Sequence, residues 1–288
     1  GDPVGIMSRT RAEWSDADLS ILSAGGVTIG LYPTASREEI AHIVGHSGLR
    51  ICFVEDDAHL DTLLSLRQTL GQPETLIVFD SRRTAFPDGV LGWETFLERG
   101  RTLDAREPGR FEATWRAVRP EDLATIAYTS GTTGPPKGAM ITHANLYHTV
   151  LNATRMHRYE ESDFGLAFLP LTHMLQRMTV YAALHLGIVG AYAEGIDRLV
   201  DNFRELKPTV QVGVPQIFER IYNRIQQTLA GGPPLKRRLF RRAVDVGRRA
   251  ARFHREGRPL PPALAVAHAL ARVLVFRKIH AVFGGRVK

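Results

Sequence analysis

The chain has 288 residues, 44% of them hydrophobic and 23% charged. That balance is close to the globular average, so the chain can bury a core and is neither disordered throughout nor collagen-like. Its net charge of +7 is concentrated: residues 228–288 hold 15 Lys and Arg against 2 acids, while the rest carries 22 basic and 28 acidic groups. The basicity therefore belongs to one segment and is no general signature of a nucleic-acid-binding protein.

The single cysteine, Cys52, cannot form an internal disulfide, which fits a reducing compartment and a cytoplasmic location. Apolar stretches such as Val180–Ala193 are too short to span a bilayer, and no charged leader with a cleavage site opens the chain.

From Asp18 onward, apolar runs alternate with amphipathic stretches. Val27–Leu31 reads as a strand closed by Tyr32-Pro33-Thr34. Ser36, with Glu39 three residues on, reads as the cap of a helix through His46. Arg50–Val54 is strand-like, His59–Leu70 helical, Thr75–Phe79 strand-like and Trp93–Arg99 a short helix. Residues 100–121 are polar and turn-rich and read as a connection. The alternation resumes with a strand at Leu123–Tyr128, a helix at Asn145–Met156, a strand at Phe164–Leu169 and a helix at Arg177–Leu186. A strand at Gly187–Tyr192, a helix at Arg198–Leu206, a strand at Thr209–Val214 and a helix at Gln216–Ala230 follow. After Gly231-Gly232-Pro233-Pro234 come long arginine-rich helical segments broken at Pro259, Pro261 and Pro262. The expected fold class is α/β, with parallel sheets covered by helices and a helical insertion near the C-terminal end. Three parts are expected: 1–118, 119–227 and a basic helical part, 228–288.

The stretch that carries chemistry is Thr129-Ser130-Gly131-Thr132-Thr133-Gly134-Pro135-Pro136-Lys137-Gly138, placed after a predicted strand and a few residues before a helix. Its glycines let the backbone approach an anion closely, and successive N–H groups in such a loop form an anion-binding nest. The hydroxyls of Thr129, Ser130, Thr132 and Thr133 can donate to phosphate oxygens, and Lys137 adds a positive charge. The common nucleotide loop requires G-x-x-x-x-G-K followed by Ser or Thr; here Gly131 and Gly134 are too close, and Gly138 follows Lys137. The reading is phosphate binding by a different loop.

Tyr128 to Gly138, continuing through Thr142-His143-Ala144-Asn145-Leu146, resembles the phosphate-loop signature of the AMP-forming acyl-CoA synthetase, luciferase and adenylation-domain superfamily. The segment from Asp18 to Val27, leading to Leu31-Tyr32-Pro33-Thr34, is similar to that family's N-terminal region. Phe168-Leu169-Pro170-Leu171-Thr172-His173, with Arg177, resembles its second core motif, and Val214-Pro215-Gln216-Ile217-Phe218-Glu219 a later helix. The resemblance implies that a carboxylate attacks the α-phosphate of ATP to give an acyl-adenylate and pyrophosphate, and that the CoA thiol then displaces AMP. Such chemistry needs charge neutralisation and alignment, with no protein nucleophile. It implies that Thr129, Ser130, Gly131, Thr132, Thr133, Gly134 and Lys137 hold the triphosphate. Thr129 is a candidate ligand for Mg2+, and His173 and Arg177 line the acyl–adenylate pocket.

Other candidates read more plainly. His42 and His46 stand four apart on a predicted helix, a zinc spacing, but no further ligand is apparent and they read as helix-surface residues. Glu55-Asp56-Asp57 reads as a solvated acidic turn, and His143 as packing or capping its helix.

Residues 235–247 and 274–286 resemble the helical insertion of long-chain fatty acyl-CoA synthetases, so the expected substrates are a long-chain fatty acid, ATP and CoA. Medium-chain or aryl-acid ligases, and an ATP- or adenylate-binding protein without ligase activity, are the alternatives. The resemblance also implies further motifs for adenine and magnesium, for ribose, a hinge, and a small C-terminal domain with a catalytic lysine, which these residues do not contain. The chain is thus expected to be a piece of a ligase's large domain, inactive alone and with no catalytic group of its own. The arginines of 237–255, interleaved with Leu235, Leu239, Phe240, Val244 and Val246, suggest a basic helix peripheral to the inner face of an anionic membrane. Nucleic acid is not expected as a partner, because the segment lacks interleaved aromatics for base stacking.

Overall fold

Short runs rich in β-branched and aromatic residues form one seven-stranded sheet: β1 (Pro3–Met7), β2 (Val27–Leu31), β3 (Ile51–Asp56), β4 (Thr75–Asp80), β5 (Val90–Gly92), β6 (Leu123–Thr129) and β7 (Lys137–Thr142). The computed structural model describes residues 1–129, 134–156 and 158–288. Across the sheet the order is β5-β4-β3-β1-β2-β6-β7. All neighbours run parallel except β6 and β7, which are antiparallel.

Period-two alternation explains why helices cover both faces. Met7, Cys52, Val54, Leu76 and Val78 point to one core, shared with Ile40, Ile43 and Val44 of α2 (Arg37–Ser47) and Leu60, Leu63 and Leu66 of α3 (Asp57–Leu70). Val4, Ile6, Phe53, Ile77 and Phe79 point to the other, shared with Trp14, Ala17 and Ile21 of α1 (Ala12–Ser23) and with Trp93 and Phe96 of α4 (Trp93–Arg106). The cap expected at Ser36 is a reciprocal box: Glu39 N–H donates to Ser36 Oγ (3.2 Å) and Ser36 N–H to a Glu39 carboxylate oxygen (3.0 Å).

Two expectations are corrected. Residues 100–121 hold the second half of α4 and a further helix, α5 (Arg110–Ala117). α5 buries no residue and leans on local ion pairs such as Arg116–Glu112, while α4 packs Trp93 and Phe96 against the core. The sheet continues across residue 118, with Thr28 of β2 paired with Thr125 of β6. Thr209–Val214 forms no strand; a single parallel bridge joins Val210 to Gly165.

The chain packs as two units, residues 1–161 with 167–192, and 162–166 with 193–288. The first contains the sheet, α1–α5, α6 (His143–Met156) and α7 (Met174–Leu186). Two further strands are short, β8 (Phe164–Ala167) and β9 (Val189–Tyr192).

The second unit holds α8 (Leu199–Leu206), α9 (Pro215–Ala230), α10 (Pro234–Arg255), α11 (Pro262–Ala271), a π-helical turn at Arg272–Phe276 and α12 (Arg277–Val282). Phe240 and Ala243 of α10 are buried with Ala271 and Val275, and Val244 and Val246 pack beside them. Most of the apolar stripe suggested for lipid contact is therefore spent inside the protein. Leu235 and Leu239 remain exposed, as do the eight arginines between 237 and 255. Among the described residues no helix is long and apolar enough to cross a membrane.

Candidate functional site

β6 is anchored deep in the sheet, where Thr125 Oγ1–H donates to the Thr28 carbonyl (2.6 Å), and it ends at the exposed Thr129. β7 returns antiparallel from Lys137, so Thr129 stands opposite Lys137 and Tyr128 opposite Gly138. Directly opposed residues have Cβ atoms about 5 Å apart, which brings a hydroxyl and an ammonium to the same end of the hairpin. Lys137 is exposed and heads a strand; the sequence had placed it in a loop. Gly134 is exposed, with φ 90°. Ser130, Gly131, Thr132 and Thr133 lie outside the described residues.

Gly138 has a packing reason to be glycine. A Cβ there would lie 2.6 Å from Ile126 Cγ2, so the close flank of the hairpin excludes any side chain. Beyond β7, Asn145 Oδ1 accepts from Thr142 N–H and Oγ1–H (both 3.0 Å), and Asn145 N–H donates to Thr142 Oγ1 (3.2 Å). The Thr142–Asn145 part of the motif thus caps α6. His143 is half-buried; burial lowers its pKa, with Asp122 acting the other way.

His173 is the N-cap of α7, with Nδ1 accepting from Leu175 N–H (3.2 Å), and it is exposed. The turn before it is fixed: Thr10 Oγ1–H donates to the Leu169 carbonyl (2.6 Å) and accepts from Leu171 N–H (3.1 Å). Thr172 packs on Gly30, where a Cβ would approach Thr172 Cγ2 to 2.9 Å. Arg177, expected with His173 at the acyl–adenylate pocket, lies on α7. It is 3% exposed and bonds Asp18 (Nε to Oδ2, 2.9 Å), Thr125 Oγ1 (2.8 Å) and Tyr181 Oη (2.8 Å). Burial opposes its charge, but Asp18 and Tyr181 outweigh burial and hold its pKa above the ordinary value.

The acidic run 55–57 is built into the fold. Glu55 is buried and receives Arg9 N–H (2.8 Å) and Nε–H (2.7 Å), Asp56 caps α3, and Asp57 accepts from Ser81 and Arg82. Among the described residues no group of three His, Cys, Asp or Glu could hold a metal. His42 and His46, read as helix-surface residues, are half-buried and exposed, and they also bond the flanks of the hairpin: His42 Nε2 to the Pro136 carbonyl (3.0 Å) and His46 Nδ1 to Tyr128 Oη (2.8 Å). No short-range pattern in the sequence links residues so far apart.

A family model described as AMP-binding enzyme matches residues 1–284. The chain belongs to the AMP-binding enzyme family. It is 33% identical over 291 residues to the long-chain-fatty-acid–CoA ligase FadD15 of Mycobacterium tuberculosis, covering 100% of this chain and 46% of that protein. It is 29% identical to the human (Homo sapiens) long-chain-fatty-acid–CoA ligase ACSBG2, covering 98% of this chain and 42% of that one. The chain therefore spans less than half the length of these curated family members. Among solved structures it is similar to ATP-bound MatB of Rhodopseudomonas palustris (25% identity, TM-score 0.58, 76% of this chain and 40% of that one). It also shares its fold with a red-emitting luciferase of Phrixothrix hirtus (22% identity, TM-score 0.65, 77% of this chain and 53% of that one).

Proposed function

We propose that these residues form the phosphate-handling part of an ATP-dependent long-chain fatty acid–CoA ligase. The observation that carries this reading is the hairpin end, where Thr129 and Lys137 face each other at the close of a strand rooted in the core. Thr129, Ser130, Thr132 and Thr133 donate hydroxyls to the β- and γ-phosphates, Gly131 and Gly134 as glycines carry no side chain to crowd them, and Lys137 supplies charge. The electron pair of the fatty acid carboxylate forms a bond to the α-phosphorus as the bond to pyrophosphate breaks; the CoA thiol sulfur then attacks the acyl carbon and AMP leaves. The chain's own part is to neutralise and orient the triphosphate.

A magnesium ion fits this arrangement in one way. It would be held by phosphate oxygens, with the exposed Thr129 hydroxyl as one protein ligand. It would supply charge neutralisation on the phosphates. We place His173 beside the acyl–adenylate, on its exposed position at the head of α7; Arg177, committed to Asp18, acts from beneath it. A finer proposal concerns location: the exposed arginine face of α10 engages anionic lipid headgroups by charge, without inserting an apolar face.

The test is AMP release with CoA, ATP and magnesium across acids of graded length. In the ligase that contains these residues, palmitate is expected to outpace acetate and benzoate. Faster turnover of benzoate or acetate would overturn the long-chain reading. The 288 residues by themselves are proposed to contact the triphosphate without releasing AMP.

A further inference from the structure

The histidines of α2 touch the phosphate hairpin at two points that matter for its geometry. Four residues apart, they stand on one face of the helix, with ring centroids 5.5 Å apart. His42 reaches the carbonyl of Pro136, the residue before Lys137, and His46 reaches the hydroxyl of Tyr128, the residue before Thr129. One helix thus grips both sides of the hairpin, each contact one residue away from a group assigned to the triphosphate.

The chemistry of each contact is defined. A carbonyl only accepts, so His42 Nε2 carries a hydrogen and donates it. His46 Nδ1 and Tyr128 Oη share a hydrogen bond of 2.8 Å, and the two rings meet edge to face at 5.7 Å and 89°. The grip is backed by a rigid element. α2 is held at its start by the Ser36–Glu39 box and along its length by Ile40, Ile43 and Val44 in the core, where Ile126 and Tyr128 also pack. Among the described residues no third His, Cys, Asp or Glu stands with the pair.

We propose that His42 and His46 are positioning residues that set the separation and orientation of Thr129 and Lys137 for the triphosphate. This rests on the phosphate-binding reading of the hairpin. Reacting groups displaced by about 1 Å lose on the order of a hundredfold in rate, so a brace at the hairpin mouth reads out in ATP kinetics.

The experiment exploits the reach of side-chain amides. Gln can present its amide N–H near the place of His Nε2, and Asn can present its amide, as donor or acceptor, near the place of Nδ1. In the ligase that contains these residues, His42→Gln and His46→Asn are expected to retain most of the wild-type KM for ATP in ATP–pyrophosphate exchange. The reach-mismatched His42→Asn and His46→Gln, and the double alanine variant, raise that KM about tenfold or more, with the fatty acid KM and melting temperature little changed. In the absence of nucleotide, amide hydrogen exchange over residues 126–142 accelerates in the same impaired variants and not in β1 or β3.

Unchanged exchange over 126–142 would overturn the brace, whatever the kinetics show. Accelerated exchange with an unchanged ATP KM would overturn the positioning role, as would equal effects of matched and mismatched variants. Lys137→Ala in the same assay separates the two readings. If it too leaves the ATP KM unchanged, the phosphate reading fails, and the hydrogen exchange still decides the brace.

Discussion

Asp18 and Arg177, 159 residues apart in sequence, form an ion pair with both side chains almost fully buried. The pair is fully furnished: Thr28 Oγ1–H donates to Asp18 (2.7 Å), Tyr181 donates to the same carboxylate, and Arg177 Nη1 donates to Thr125. The guanidinium also lies 5.4 Å from the Trp14 ring centroid. Through these bonds α1, β2, β6 and α7 are tied together, so the strand that ends at Thr129 and the helix that begins after His173 share one anchor.

Breaking one side of this anchor strands a charge in the core. Arg177→Met is expected to cost about 3–5 kcal/mol of stability, and adding Asp18→Asn recovers part of that loss by removing the orphaned carboxylate. Urea unfolding of the two variants checks this. A cost below about 1 kcal/mol, the range of exposed pairs, would contradict the buried-pair account.

Gly30 tests how tightly the turn before His173 is seated. Adding a Cβ brings it to 2.9 Å from Thr172 Cγ2 and 3.1 Å from Thr172 Cα, and the backbone atom can yield only if the turn moves. Gly30→Ala is expected to destabilise by about 1–3 kcal/mol and to raise the fatty acid KM more than the ATP KM. Equal shifts in both constants would separate this turn from the acid site.

His143 gives the fold a pH dependence of definite sign. Burial lowers its folded pKa below the ordinary 6.5, so the unfolded chain takes up the proton first. The stability linked to this residue is full above pH 6.5 and falls as the pH drops from there towards the folded value. His143→Gln is expected to lose less stability than the wild type between pH 7.5 and 5.5, measured by urea midpoints. An identical loss would remove His143 as a source.

Much of the parallel sheet and of α2 and α3 is legible in the sequence, because both rest on local signals: alternating apolar runs at 27–31 and 75–79, and the Ser36–Glu39 cap. α5 was not legible, because nothing in it is buried and its support comes from charge pairs such as Glu112–Arg116. β7 was hidden inside a stretch whose residues read as loop chemistry. The run Thr209–Val214 has strand-like residues, but the Gln211 amide is spent on the Leu166 and Val212 carbonyls, and only Val210 joins a bridge. At the site, the residue types of the loop were legible. The contacts of His42 and His46 with the hairpin and the burial of Arg177 were not, since each depends on residues far apart in the chain.

The arginine face of α10 predicts salt-sensitive attraction to anionic surfaces. Each exposed basic residue near such a leaflet contributes about 1 kcal/mol, and this term falls with ionic strength. Co-sedimentation with phosphatidylglycerol vesicles is expected at low salt and not at high salt, and phosphatidylcholine vesicles are not expected to retain the protein. Replacing the eight arginines between 237 and 255 by glutamine abolishes the difference between the lipids. Equal binding to both lipids would leave α10 a structural role.

The most direct test of the account is ATP–pyrophosphate exchange by Lys137→Ala in the ligase that contains these residues, with the melting temperature measured alongside. Lys137 is exposed at the head of β7, so its loss leaves folding within about 0.5 kcal/mol of the wild type. The account predicts that exchange falls by roughly ten- to a thousandfold, the range for a lost charge-assisted contact or oxyanion donor. Wild-type exchange in this variant would remove Lys137 from the triphosphate and contradict the assignment of the hairpin.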